Sequence, residues 1–219
     1  MSARRPPVIL LDPRGVAAAA DALAASHAGY PGFRAVFPDP ARRASALPAF
    51  FRATVADAVR FGAVRAVAAE GERLASVAVW LPPGAFPWSA GRKARATPAF
   101  LRVLAADPAN FGRFVRYGTR AEQAHQGMAP YWYLVVLGVR PEAQRQGHGT
   151  ALIEPVLARA DRDGVDCRLE TADPANVAYY RRFGFEVADP ALRLVPGGPT
   201  HTSMHRPAAR VGPGDRAVR

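Results

Sequence analysis

The chain has 219 residues, enough for one sizeable domain or two small ones, and its 49% apolar and 21% charged residues are those of a globular protein. The net charge of +11 is carried almost entirely by arginine, Lys93 being the only lysine. These arginines are dispersed and not interleaved with aromatics, which argues against a nucleic-acid surface, whereas a polyanionic small ligand would account for part of the charge.

The single cysteine, Cys167, excludes an intrachain disulfide and is too little for a structural zinc site; it reads as a small interior hydrophobe. The first residues hold only a four-residue apolar run, too short for a signal-peptide core, and no later run is long enough for a membrane span. A cytoplasmic location with no membrane contact is expected.

In chain order, Val8-Ile9-Leu10-Leu11 reads as a strand and Ala17 to Ala25 as an alanine-rich helix ending near Gly29. Tyr30-Pro31-Gly32 reads as a break, followed by a short apolar piece from Phe33 to Phe37. Leu47, Phe50, Phe51, Val55 and Val59 recur at helical spacing between Ala41 and Phe61, with Gly62 placed as a C-cap. Two β-rich runs, Ala63 to Ala69 and Leu74 to Leu81, flank Glu70-Gly71-Glu72 and predict a hairpin. From about 85 to 130 the character changes. Proline-punctuated, aromatic-rich sequence predicts two inserted helices, Pro98 to Ala106 and Ala109 to His125.

Trp132 to Val139 is a run of β-branched and aromatic residues ending at Arg140-Pro141, the pattern of a buried strand. The turn Gln144-Arg145-Gln146-Gly147-His148-Gly149 follows. Leu152, Ile153, Val156, Leu157 and Ala160 then fall at helical spacing, with Pro155 expected to kink the helix. A glycine turn that opens a helix can cradle an anion, because the first N–H groups have no internal partner and sit at the positive end of the dipole. It is neither a Rossmann fingerprint, which would need glycine at Leu152, nor a P-loop, which would need lysine at Thr150. By spacing alone it is either a phosphate cradle or a plain helix cap.

Val165 to Thr171 reads as a strand parallel to the central one, since a helix joins them. Asp173-Pro174 starts a helix with Asp as N-cap and Pro at its first position; this helix runs to Phe183 and closes at Gly184. Phe185 to Val187, Ala191 to Val195 and Thr202 to His205 read as strands. The residues from 207 to 219 read as a disordered basic tail, which leaves 1–206 as a single domain.

Gln144, Gly147 and Gly149 match a (Gln/Arg)-x-x-Gly-x-(Gly/Ala) loop, and Tyr180, Gly184 and Phe185 match a later Tyr-x-x-x-Gly-Phe motif at about the expected separation. On these two motifs the chain resembles the GCN5-related N-acetyltransferase superfamily, most strongly from Trp132 to Val187. The segment Trp80 to Gly84 is similar to that of small bacterial members. The resemblance implies a mixed α/β fold: a mostly antiparallel sheet, flanked by helices, with one parallel strand pair splayed to hold acyl-coenzyme A. It implies acetyl-CoA as co-substrate, no metal, and direct transfer to the primary amine of a small molecule or peptide.

Carried onto this sequence, the resemblance places the pyrophosphate of coenzyme A at Gln144, Arg145, Gln146, Gly147, His148, Gly149 and Thr150. Arg140 is a further phosphate candidate, and His148 is expected to be exposed. Pantetheine would pair with Leu137, Gly138 and Val139, with Gly138 either a bulge that frees an N–H for the thioester oxygen or a packing glycine. Asn176 would touch the pantetheine arm or only satisfy local backbone. Tyr180 would give the leaving thiolate its proton, although Tyr179 qualifies by type.

No carboxylate lies within the central strand, so the base candidates are Glu122 and His125 before it and Glu170 on the next strand. His201 and His205 would share a strand face, but two histidines without a carboxylate argue against a metal. A non-catalytic acyl-CoA sensor and a basic nucleic-acid-binding protein are the rival readings, and a homodimer is left open.

Overall fold

In the computed structural model, which describes residues 6–69 and 73–209, seven strands form one sheet. They are β1 (Val8–Leu10), β2 (Val64–Ala68), β3 (Leu74–Leu81), β4 (Trp132–Val139), β5 (Cys167–Thr171), β6 (Glu186–Leu192) and β7 (His201–Arg206), in the order β1-β2-β3-β4-β5-β7-β6. The helices are α1 (Val16–His27), α2 (Pro31–Val36), α3 (Pro40–Val59), α4 (Ala90–Ala106), α5 (Phe111–Ala124), α6 (His148–Asp163) and α7 (Pro174–Arg181). β4 and β5, joined through α6, pair in parallel; the other described pairs are antiparallel. This is a mixed α/β fold with a mostly antiparallel sheet flanked by helices.

β3 is buried along its whole length because both faces of the sheet are covered. Val77, Val79 and Leu81 point into a core shared with Leu23 of α1 and Leu47 and Phe51 of α3. Ala78 and Trp80 point the other way, onto Leu152, Ile153 and Val156 of α6. This is the two-residue alternation of a strand read across two layers.

On β4 that alternation breaks. Val79 pairs with Val136 and Trp80 with Leu134, so Val135 is an extra residue, a β-bulge. A one-residue insertion reverses the facing of everything after it. Trp132 and Leu134 pack on the α6 side, but beyond the bulge it is Leu137 that does so, and Gly138 turns toward α1. The bulge expected at Gly138 therefore lies at Val135.

Gly138 is where α1 crosses the strand: a Cβ there would collide with the Ser26 hydroxyl and come within 2.9 Å of Leu23 Cδ2. Gly138→Ala should destabilise the fold by about 1–3 kcal/mol, through overpacking, as a lower urea midpoint with an unchanged slope.

Several local expectations shift. Pro31 begins α2 at its first turn instead of only breaking the chain. Pro98 sits inside α4, which starts at Ala90; the carbonyl it frees belongs to exposed Ala94, so water can satisfy it. α4 is anchored to α3 by the buried pair of Arg92 and Asp57, whose Nε–Oδ1 contact is 2.9 Å. α6 is continuous through Pro155. β6 runs from Glu186 to Leu192, so Ala191 to Val195 is not a separate strand. Cys167 is fully buried, and burial pushes its thiol up to about 12. The turn at Glu70-Gly71-Glu72 and the tail from 210 onward lie outside the described residues.

Candidate active site

β4 and β5 pair only where Trp132, Tyr133 and Leu134 face Cys167, Arg168 and Leu169. Beyond Leu134 they part, at the point where the bulge bends β4. A groove of about 880 Å³ opens there. Leu137, Gly138 and Val139 form one wall. Gln144, Arg145, Gly147, His148, Gly149 and Thr150 close one end, and Asn176 and Tyr180 of α7 line it as well. Gln146 is not part of the lining; it is exposed, and its amide donates to the Glu142 carbonyl at 3.2 Å.

The loop has the backbone of an anion cradle. Arg145 (φ 61°) and Gly147 (φ 82°) are left-handed, which turns successive N–H groups toward one side. Gly147 offers no side-chain cap to α6, and the first turn contains no acidic residue. The helix end is thus free to meet a negative charge. Gly149 has a steric reason to be glycine: a Cβ would strike the Tyr179 hydroxyl and lie 3.2 Å from its Cζ.

Two loop neighbours differ from expectation. His148 is buried, its Nδ1 3.4 Å from the Ser76 hydroxyl, and burial lowers its pKa so that it is uncharged at neutral pH. Arg140 donates from Nε to the Leu74 carbonyl at 2.9 Å and is tied to β3.

Sequence reasoning missed the wall supplied by α1 and its exit: Ser26, His27 and Tyr30 all line the groove. The Tyr30 hydroxyl accepts the Ala172 N–H beyond β5, bracing α1 against the splayed strands. Nothing in the local sequence distinguishes this tyrosine from a turn residue.

His27 is buried at the groove wall, and desolvation lowers its pKa to about 4. Between the unfolded value near 6.5 and about 4, the unfolded chain binds a proton that the native state does not. Stability should therefore fall on acidification, by about 2 kcal/mol at pH 5 from this group, and a His27→Asn variant should flatten the pH dependence of the urea midpoint over that range.

Of the base candidates, Glu122 lies on α5 and pairs with Lys93 of α4 at 2.6 Å. His125 and Glu170 form a buried pair, Nε2 to Oε1 at 2.9 Å, with side chains 2% and 6% exposed. The Tyr133 hydroxyl donates to Glu170 Oε2 at 2.6 Å and the Ser203 hydroxyl lies 3.4 Å from Oε1, while the other nitrogen of His125 meets the Tyr131 hydroxyl. His201 packs beside Tyr117, whereas His205 pairs with Asp166 at 2.7 Å, so they form no joint site. Among the described residues no group of three His, Cys, Asp or Glu is placed to hold a metal ion, and no helix is long and apolar enough to cross a membrane.

The splayed parallel pair, the uncapped glycine loop and α7 behind it occur in a chain whose residues 70–185 match the model of the Acetyltransferase (GNAT) family. The chain belongs to the GNAT acetyltransferase family. Solved structures agree on the fold. One described as a histone acetyltransferase HPA2 and related acetyltransferase, from Corynebacterium glutamicum, superposes with a TM-score of 0.68 at 21% identity, covering 94% of this chain and 98% of that one. A polyamine N-acetyltransferase from Drosophila melanogaster, described as forming N-acetylagmatine, gives 0.59 at 17% identity over 91% and 96%. A PaiA N-acetyltransferase from Thermoplasma acidophilum, in complex with coenzyme A, gives 0.56 at 11% identity over 93% and 99%.

This GNAT protein has a second cavity, about 160 Å³, lined by α3, β4 and the α4–α5 pair. Val135 and Val136 of β4 line it, and Leu137 to Val139 of the same strand line the groove. The bulge is the point at which β4 passes from one cavity to the other.

Proposed function

We propose that the protein is an acetyl-CoA-dependent N-acetyltransferase that moves the acetyl group to a primary amine of a small molecule by direct transfer in a ternary complex. The observation that carries the reading is the passage of one splayed strand from the groove to the apolar cavity across the Val135 bulge. Two substrates bound on either side would meet there, with no covalent stop on the protein. Relatives of this fold are described as acting on amines, among them a polyamine acetyltransferase and an agmatine acetyltransferase.

The residues present fit coenzyme A. The loop from Gln144 to Thr150 offers backbone N–H groups and the uncapped start of α6 to a pyrophosphate, and Gly149 keeps that approach open. The free edge of β4 beyond Leu134 offers unpaired backbone to an extended amide-bearing arm. A bulge leaves backbone groups without a ladder partner, and an N–H freed at Val135 would favour negative charge growing on a carbonyl oxygen.

In the transfer, the amine nitrogen forms a bond to the acetyl carbon and the carbon–sulfur bond breaks. The proton lost by nitrogen passes through the Tyr133 hydroxyl to Glu170, whose carboxylate is set by His125. The thiolate takes a proton from Tyr180, which regains one from solvent through the groove while Glu170 releases its own to solvent. This reading assigns the base role to Glu170 and not to Glu122, whose carboxylate pairs with Lys93 between α4 and α5.

Calorimetry with acetyl-CoA, followed by thiol release across a panel of primary amines, tests the proposal. Micromolar binding and amine-dependent thiol release are expected. Absence of binding would sink it, and binding with no turnover on any amine would favour the sensor reading.

A further inference from the structure

The second cavity is an apolar pocket that opens to solvent beside Gly118. Its walls are aromatic and flat: Trp88 and Phe100 stack with centroids 6.3 Å apart and planes 21° from parallel, and Phe114 meets Phe100 edge-on at 5.6 Å. An apolar protein cavity of about 150 Å³ stays dry and takes up one benzene ring; this one is about 160 Å³.

Gly118 supplies an independent observation. It lies in the interior of α5 and lines the cavity, and a Cβ built on it would meet nothing within 4 Å. Its φ is not in the left-handed region that favours glycine. Glycine is a poor helix former, and neither backbone conformation nor close packing requires it here. Gly118 is exposed, so it stands at the mouth of the cavity, and its missing side chain leaves that mouth open.

Charge settles which acceptors fit. The lining carboxylate, Glu122, is already held by Lys93 at 2.6 Å. Glu170 lies behind the Tyr133 hydroxyl, where the reacting nitrogen would be placed. A second cation at the far end of an acceptor would lose its water among rings and have to share the one lining carboxylate with Lys93.

Resting on the N-acetyltransferase reading, we infer that this cavity binds one phenyl-sized apolar group, so that the acceptors are arylalkyl monoamines and not diamines or guanidino-amines. The reacting nitrogen stands one or two methylenes from the ring, toward Tyr133. The ring fills the slot between Phe100 and Val136.

The test uses 2-phenylethylamine, putrescine, agmatine and the non-amine 2-phenylethanol, on the whole chain and on Gly118→Leu. Leucine at 118 favours the helix and obstructs the mouth of the cavity without meeting the fold. Thiol release should give 2-phenylethylamine a kcat/KM at least ten-fold above putrescine and agmatine, and Gly118→Leu should remove at least ten-fold of it. With coenzyme A present, both phenyl compounds should raise the melting temperature of the parent and not of Gly118→Leu. Equal or better turnover of putrescine or agmatine overturns the inference, as does full phenylethylamine activity in Gly118→Leu. If no amine is acetylated, the transferase reading fails separately, and the thermal shifts still decide: stabilisation lost in Gly118→Leu upholds the phenyl site, and no stabilisation of the parent rejects it.

Discussion

Replacing Tyr180 by Phe should lower turnover about 100-fold or more while leaving the dissociation constant of coenzyme A within about two-fold, the range expected for losing one positioned proton donor. Tyr180 is in the last turn of α7, buried at 8% exposure, and lines the groove opposite β4. Burial pushes its hydroxyl well above the usual tyrosine value, so it holds its proton through the working pH range. A donor in that state can protonate a departing thiolate without contributing a limb to the pH profile near neutrality. The phenylalanine ring keeps the packing against Phe185, whose ring centroid is 5.9 Å away, so the loss should not come from unfolding.

Tyr179 provides the contrast. Its hydroxyl is buried against Gly149 and Thr150 without a well-formed hydrogen bond, and its ring stacks under Arg182. Tyr179→Phe should therefore change coenzyme A affinity, read by calorimetry, more than the rate of thiol release. Unchanged turnover of Tyr180→Phe from pH 6 to 9 would take Tyr180 out of the mechanism.

What the sequence disclosed and what it hid follow from the range of the forces involved. β4 is legible to the residue because an apolar run, five of its eight positions β-branched or aromatic, ends at Arg140-Pro141. The start of α7 is legible because Asp173 accepts from Ala175 N at 3.0 Å and Pro174 needs no donor, both local facts. The bulge at Val135 is not local. It arises from the register with β3, more than 50 positions earlier, and no composition signal marks it. Gly138 shows the same limit: it looks like a bulge glycine until α1, over a hundred residues earlier, is seen to cross it.

Pro98 misled for a related reason. A proline normally starts a helix, but here the buried Arg92–Asp57 pair fixes the preceding turns to α3 and the lost donor faces solvent. The partnership of His125 with Glu170 spans 45 residues. Residue type alone gave three base candidates. Their partners differ: Glu122 pairs with Lys93, while Glu170 accepts from the Tyr133 hydroxyl of β4, which is why the proposal gives the base role to Glu170.

Glu170→Gln should also lower turnover by about 100-fold or more, and its pH dependence should reveal why. Glu170 is buried with three partners, His125, Tyr133 and Ser203. Removing the carboxylate outright by Glu170→Ala would strand all three and destabilise the fold by about 3–5 kcal/mol, mixing folding with chemistry. Glutamine keeps the shape and hydrogen-bonding atoms on both sides, and a near-parent urea midpoint would verify that. It cannot take the proton that Tyr133 passes on. An acceptor amine has an ordinary pKa near about 10, so at neutral pH nearly all of it is protonated and depends on the enzyme to be made nucleophilic. As pH rises toward that value, solution supplies the free amine. The deficit of Glu170→Gln should be largest near pH 7 and shrink steadily up to pH 9.5, whereas that of Tyr180→Phe should not. A deficit that stays constant with pH would mean that Glu170 only holds Tyr133 in place, and proton removal would then fall to water at the mouth of the apolar cavity.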